Sequence, residues 1–232
     1  MAEKRPLAVF DIDGTLFRSS LVIELVEKLI EDRVFPRTAR DVYEEARLNW
    51  IERKGDYESY IMKVVESFGT HIHGIAYGVV ADAAGEVIEG KKDRVYRYTR
   101  DLITQLKKDG YFLLAISHSP KLIVDGFGYE HGFDKTYGTL YETGASDAFT
   151  GSHQDFHIIG NKGNIIRRVL EKENVTLTNS VGVGDTESDI PFLEMVTRPI
   201  CFNPNKKLFM HAKRMKWKVV VERKDVIYDD VI

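Results

Sequence analysis

Cysteine is nearly absent from this sequence. Cys201 is the only one in 232 residues, which excludes an intrachain disulfide. It lies in the run Pro199-Ile200-Cys201-Phe202 and is expected to be a small core residue. No apolar run is long enough to span a bilayer, and the opening Met-Ala-Glu-Lys-Arg-Pro leads into a short apolar segment without a secretory pattern. These absences set the expectation of a reducing, cytoplasmic location. An excess of one charge is also missing. The 33 Lys and Arg against 36 Asp and Glu leave a formal net charge of -3, with no global bias toward nucleic acid or an anionic membrane as partner. The local basic cluster Lys206, Lys207, Lys213, Arg214, Lys216 and Lys218 is expected to be the solvated face of an amphipathic helix. Repeats, low-complexity tracts and long linkers are lacking too.

What is present is an apolar content of 43%, enough for a sizeable core in one domain or one domain with an insertion. Leu7 to Phe10 is a continuous apolar run ending at Asp11, the pattern of a buried parallel strand. The period then changes. Leu21, Leu25 and Leu29, then Tyr57 to Phe68, then Ile75 to Val87, carry helical stripes, with breaks expected near Pro36, Gly55 and Gly69. A further helix ends at Gly110, a residue suited to the position after a helix. The spacing predicts strands over Tyr111–Ile116, Ser180–Val183, Arg198–Phe202 and, last, Lys218–Val221. Helices are predicted from Pro120, over Lys162–Leu170 and from about Ile190, and Thr136 to Gly160 suggests a small antiparallel excursion. Alternating strands and helices imply an α/β parallel sheet. Its core is expected over residues 1–16 and 93–232, with a helical insertion over 17–92.

Ligands of open α/β sheets sit beyond the carboxyl ends of the strands. The polar residues that end strands here are Asp11, Ser117 and Asp185. Asp11 and Asp13, two residues apart after a buried strand, would repel each other unless a cation lies between them, and magnesium favours such oxygen ligands. Gly184-Asp185-Thr-Glu-Ser-Asp189 supplies another carboxylate after another apolar strand. As a calcium EF-hand loop the first segment fails, because Leu16 and Val22 occupy the required glycine and glutamate positions. Gly160-Asn-Lys162-Gly163 lacks the spacing of a nucleotide-binding P-loop. His71 and His73 have the spacing of metal ligands but no third ligand near them, and Trp50 and Trp217 read as packing residues.

Four ordered motifs resemble those of the haloacid dehalogenase superfamily: Asp11-Ile-Asp13-Gly14-Thr15, Ser117 after Leu113-Leu-Ala-Ile116, Lys162, and Gly184-Asp185-Thr-Glu-Ser-Asp189. The segments Ile116-Ser-His-Ser-Pro120, Gly132-Phe-Asp134 and Phe202-Asn-Pro-Asn-Lys-Lys-Leu208 are similar to stretches of its phosphoserine-phosphatase-like branch. The resemblance implies a Rossmann-like core with an inserted helical cap of the C1 type. It implies Asp11 as a nucleophile that forms an aspartyl-phosphate, and Asp13 as general acid and then base. Mg2+ would be held by the Asp11 carboxylate, the Asp13 backbone carbonyl and Asp185. Ser117, and His118 beside it, would bind phosphate; Lys162 would offset charge; Asp189 would orient Lys162 or metal-bound water.

The implied substrate is a small phosphorylated metabolite. Phosphoserine is the first candidate, but Ser20 stands where those phosphatases are expected to carry a glutamate for the substrate's amino group. Glu24, a turn later, is the available substitute. Transfer of the phosphoryl group to an alcohol acceptor is the alternative activity, and a non-catalytic binding module the remaining one.

Overall fold

The computed structural model describes residues 3–154 and 161–229. Strand β1 (Arg5–Asp11) is buried from Leu7 onward and occupies the centre of the sheet. Strands β2 (Phe112–Pro120) and β3 (Lys135–Thr143) extend the sheet on one side, both parallel to β1. Strands β5 (Val175–Gly184), β6 (Arg198–Phe202) and β7 (Lys218–Arg223) extend it on the other, again in parallel. Two antiparallel strands close the edges, β4 (Phe149–Gln154) on β3 and β8 (Val226–Asp229) on β7. The order is β4-β3-β2-β1-β5-β6-β7-β8. The chain therefore leaves β1 toward β2 and returns to β5 on β1's opposite side, which makes the carboxyl end of β1 a topological switch point.

Successive strand residues point to opposite faces, and two apolar clusters result. Ala8, Phe10, Leu113, Ala115, Val181 and Val183 belong to one cluster; Leu7, Val9, Leu114, Ile116 and Val175 belong to the other. The first face is covered by α1 (Leu21–Glu31), α3 (Tyr57–His71), α4 (Tyr77–Lys91), α5 (Arg97–Lys108) and α6 (Lys121–Glu130). A 3-10 turn (Arg37–Val42) and α2 (Glu44–Ile51) lie between α1 and α3. The second face carries α7 (Lys162–Lys172), the short α8 (Ile190–Leu193) and α9 (Lys206–Met215). An isolated helix of eleven residues is marginal in water. α1 persists because Leu21, Val22, Leu25, Val26, Leu29 and Ile30 are buried, each contributing about 1.5–3 kcal/mol.

The helical run between β1 and α5 crosses to the sheet through two adjacent segments. Arg18 N–H donates to the Arg94 carbonyl at 2.9 Å and Tyr96 N–H to the Leu16 carbonyl at 3.0 Å. The insertion is also tied down at its far end. Gly74 N–H donates to Phe149 and Tyr77 N–H to Asp147, joining the α3–α4 connection to the β3–β4 hairpin.

Two sequence expectations need correction and two gain detail. Gly69 lies inside α3, which continues to His71, because packing of Phe68 and Ser67 outweighs one glycine's helix cost. β7 is not the last strand, since β8 pairs back along it. The segment from Thr136 is antiparallel only in its second half: β3 first joins the main sheet beside β2. Lys206 and Lys207 are exposed as expected, but they also line a cavity. The expected excursion's tail and Gly160 fall outside the described residues.

Candidate active site

The register sets the site. Asp11 pairs with Ile116, so Ser117 follows directly beside it, and Phe10 pairs with Val183, which brings Asp185 to the other flank. After Asp11 the chain turns sharply. The Ile12 carbonyl accepts the N–H groups of Thr15, Leu16 and Phe17, and Gly14 adopts φ +84°. A Cβ at Gly14 would lie 2.2 Å from Asp185 Oδ2, so glycine is required both by backbone conformation and by the approach of the two loops. Gly184 is required for a similar reason: a Cβ there would meet Asp189 Oδ2 at 2.5 Å.

Lys162, at the start of α7, is 1% exposed and bridges two carboxylates. Its Nζ lies 2.6 Å from Asp11 Oδ1 and 2.6 Å from Asp189 Oδ1. Asp189 is fully buried, and its other oxygen accepts from the backbone N–H groups of Asp185 at 2.9 Å and Thr186 at 3.1 Å. Asp189 thus fixes both Lys162 and the loop that carries Asp185. Asp11 Oδ2, by contrast, is buried without a hydrogen-bond partner among the described residues.

Asp13 occupies a different environment. Its carboxylate accepts from Leu21 N–H at 2.6 Å, from Ser119 Oγ at 3.0 Å and from Ser117 Oγ. Val22 N–H donates to Ser119 Oγ at 3.0 Å. The N-terminus of α1 therefore points at Asp13 and Ser119, where its free N–H groups and positive dipole end favour negative charge. Ser117 is fully buried and also accepts from Ser119 N–H at 2.8 Å, so here it orders Asp13 and the carboxyl end of β2.

A cavity of about 260 Å3 gathers Asp11, Asp13, His118, Ser119, Lys162 and Asp185. Of the residues expected at the site, Ser117 and Asp189 stand behind this wall rather than in it. Helix α3 forms the opposite wall with Tyr57, Glu58, Ile61, Met62 and Val65. A larger cavity of about 750 Å3, lined in part by Trp50, Tyr96, Arg18 and Lys206, shares Tyr57, Glu58, Asp185 and Thr186 with it. Trp50 packs on Tyr57 with ring centroids 5.2 Å apart, as expected, and also borders this cavity. Ser119, Tyr57 and Glu58 went unread as site residues. A sequence shows that α3 is amphipathic but not which of its exposed positions meets the end of a distant strand. Glu24 does not substitute at Ser20, because it pairs with Lys91 and with Arg94 at 3.0 Å. His71 Nδ1 lies 2.8 Å from the Ser67 carbonyl and its ring packs on Phe35, which leaves it a structural role.

The charge balance calls for a cation. Carboxylate oxygens of Asp11, Asp185 and Asp189 lie within 4.8 Å of one another, the only such cluster among the described residues. Burial raises the pKa of Asp11 to about 8; Lys162 opposes this, while Asp189 and Asp13 reinforce it. Burial likewise pushes Asp185 well above the carboxylate range, with Asp11 and Asp189 adding to the effect. Burial alone would discharge Lys162, but its two carboxylate partners outweigh that and hold its pKa high. A buried oxygen without a donor, facing a second desolvated carboxylate, fits a hard divalent ion.

A pH-dependent stability follows. An acid whose folded pKa is raised contributes stability fully below its unfolded value near 4 and loses it as pH rises through the folded value near 8. The metal-free protein should therefore lose melting temperature across that window. A hard divalent ion held by this cluster should raise it by roughly 5–10 °C at pH 8 for a hundredfold excess over Kd, and by clearly less at pH 5. A thermal melt series at both pH values, with and without Mg2+, checks this.

The profile of the haloacid dehalogenase-like hydrolases matches residues 8–194, a span that contains all these groups. The chain belongs to that family. Among curated relatives, the inhibition of morphological differentiation protein of Streptomyces azureus is 24% identical, over 93% of this chain and 78% of that protein. Histidinol-phosphatase of Neisseria meningitidis serogroup C is 22% identical, over 92% of this chain and 97% of the relative. Among solved structures, a phospho-aspartyl intermediate analogue of phosphoserine phosphatase superposes with a TM-score of 0.62 at 21% identity, covering 96% of each chain. This member of the hydrolase family thus shares its fold with phosphoserine phosphatases, as the motif order implied. No helix among its described residues is long and apolar enough to cross a membrane.

Proposed function

We propose that this hydrolase is a magnesium-dependent phosphomonoester hydrolase that acts on a small phosphorylated metabolite through an aspartyl-phosphate on Asp11. The observation that carries the reading is the asymmetry of the two carboxylates facing one small cavity. Asp11 has one oxygen fixed by Lys162 and the other without a partner, while Asp13 is held by three donors. A fixed carboxylate with a free oxygen suits a nucleophile; one embedded in hydroxyl and amide donors suits a proton carrier.

In the first step an Asp11 oxygen bonds to phosphorus as the bond to the leaving oxygen breaks. Asp13 gives that oxygen its proton, so an alcohol departs. In the second step Asp13 takes a proton from water, whose oxygen bonds to phosphorus as the bond to Asp11 breaks. Inorganic phosphate and free Asp11 result. Lys162 holds Asp11 in line, Ser119 and His118 line the phosphate's space, and Ser117 and Asp189 keep Asp13 and Lys162 in place. Mg2+, held by the Asp11 and Asp185 carboxylates and the Asp13 carbonyl, would supply charge neutralisation to the phosphate. Residues 17–92 would form the cap, with α3 excluding bulk water from the cavity. A single buried thiol suits a cytoplasmic setting.

A panel of phosphomonoesters assayed for phosphate release tests this, with Mg2+ and again after chelation. Turnover should fall to background on chelation and return with Mg2+. Activity that survives thorough chelation contradicts the metal assignment. Product appearing as a new phosphomonoester when an alcohol is added would identify a phosphotransferase instead.

A further inference from the structure

Glu58 sits in the first turn of α3 and faces both cavities, yet it has no hydrogen bond or ion pair among the described residues. Glu58 is the one acid of the insertion among the described lining of the smaller cavity, and three others are paired elsewhere. Glu24 binds Lys91 and Arg94, Glu27 binds Arg40 at 2.9 Å, and Glu44 binds Arg47 at 2.7 Å. Ser20 lines the same small cavity and is 1% exposed. It is the N-cap of α1 but makes no capping bond, and its Oγ is buried without a partner. An orphaned buried hydroxyl costs free energy unless a ligand group satisfies it. One cavity therefore contains an unpaired carboxylate, an unpaired hydroxyl and an apolar wall of Val22, Ile61 and Val65.

The charge in this cavity is one-sided. Asp11, Asp13, Glu58 and Asp185 face it; the proposed Mg2+ would offset Asp11 and Asp185, and Lys162, its one lysine among the described residues, is already bound by Asp11 and Asp189, which leaves the Glu58 carboxylate unmatched. No arginine is among the described lining. Within the smaller cavity, away from Arg18, Lys206 and Lys207 of the larger one, a substrate carboxylate beside Glu58 would meet repulsion, whereas an ammonium group would meet an unmatched charge.

Resting on the phosphatase reading, we infer that the substrate is a small alkyl phosphate bearing a protonated amine and no carboxylate, with Glu58 the residue that selects the amine. Glu58 comes from the insertion, not from the segment after the first motif, so the absence of a glutamate at position 20 leaves amine recognition intact. Ser20 supplies an additional hydrogen-bonding oxygen to the same part of the ligand.

The test compares ethanolamine phosphate with ethylene glycol phosphate, which differ only in an ammonium against a hydroxyl, together with phosphoserine, all with Mg2+. Wild-type kcat/KM should favour ethanolamine phosphate over both others by roughly ten- to hundredfold. Glu58→Gln should collapse the ethanolamine-to-glycol ratio to near one, chiefly through KM, and Glu58→Lys should invert it. A merely helix-capping acid would change melting temperature in these variants without moving the ratio. The inference is overturned if wild type shows no amine preference, if phosphoserine is the best of the three, or if the preference survives Glu58→Gln. If none of the three, nor any other phosphomonoester, is hydrolysed, the phosphatase reading itself falls and this inference with it.

Discussion

Asp11→Asn is expected to lower phosphomonoester turnover by about ten-thousandfold or more, the loss that the proposed covalent nucleophile predicts. The fold should not suffer. Asparagine retains an oxygen for Lys162 Nζ, and it removes a carboxylate whose ionisation burial already opposes. Metal-free Asp11→Asn should therefore melt no lower than wild type at pH 8, while its response to Mg2+ shrinks. Steady-state kinetics paired with thermal melts separate these effects. A variant that is inactive because it is unfolded would show the opposite melting behaviour.

Lys162→Met should produce the largest loss of stability of any single change at the site. Lys162 is almost wholly buried, and its removal leaves Asp11 and Asp189 without their shared cation, within 4.8 Å of each other and of Asp185. Breaking a buried ion pair by deleting one partner costs about 3–5 kcal/mol. For a chain of this size that is a fall of roughly 6–20 °C in melting temperature. Methionine fills much of the lysine's volume, so the loss is electrostatic rather than a packing defect. The control is the double variant Lys162→Met with Asp11→Asn. Removing one of the repelling carboxylates should recover part of the lost melting temperature, a coupling between touching residues that independent packing losses would not give. Equal, additive losses would remove Lys162 from its assigned role.

The parts of the molecule that were legible in the sequence share a cause. β1, β2, β5 and β6 are buried on both faces, so their apolar runs stand out, and each of β1, β2 and β5 ends in or beside a polar residue that the sheet then gathers. Asp11, Asp13 and Asp185 follow strand ends and can be assembled from these alone, whereas Lys162, at the start of α7, is reached only through the motif resemblance. The wall opposite could not. Tyr57 and Glu58 approach the site because α3 packs against α1 and the β3–β4 hairpin, and that packing depends on contacts far apart in the chain. β8 is hard to read because three of its four residues are exposed and its apolar stretch Val226-Ile227-Tyr228 is short. Ser117 shows a subtler limit. It follows Ile116, the strand partner of Asp11, yet its hydroxyl is directed to Asp13, and Ser119, two residues on, faces the cavity. A strand's alternation can be anticipated, but the side-chain hydrogen bonds made at its carboxyl end cannot.

The central claim is the covalent bond to Asp11. Quenching the enzyme during turnover with Mg2+ and reducing it with borohydride converts an aspartyl-phosphate to homoserine, which peptide mass spectrometry can place. Homoserine at position 11, absent from samples quenched without substrate and from Asp11→Asn, is the expected result. Phosphate release at full rate with no modification of Asp11, or with homoserine at Asp13 or Asp185 instead, would contradict it.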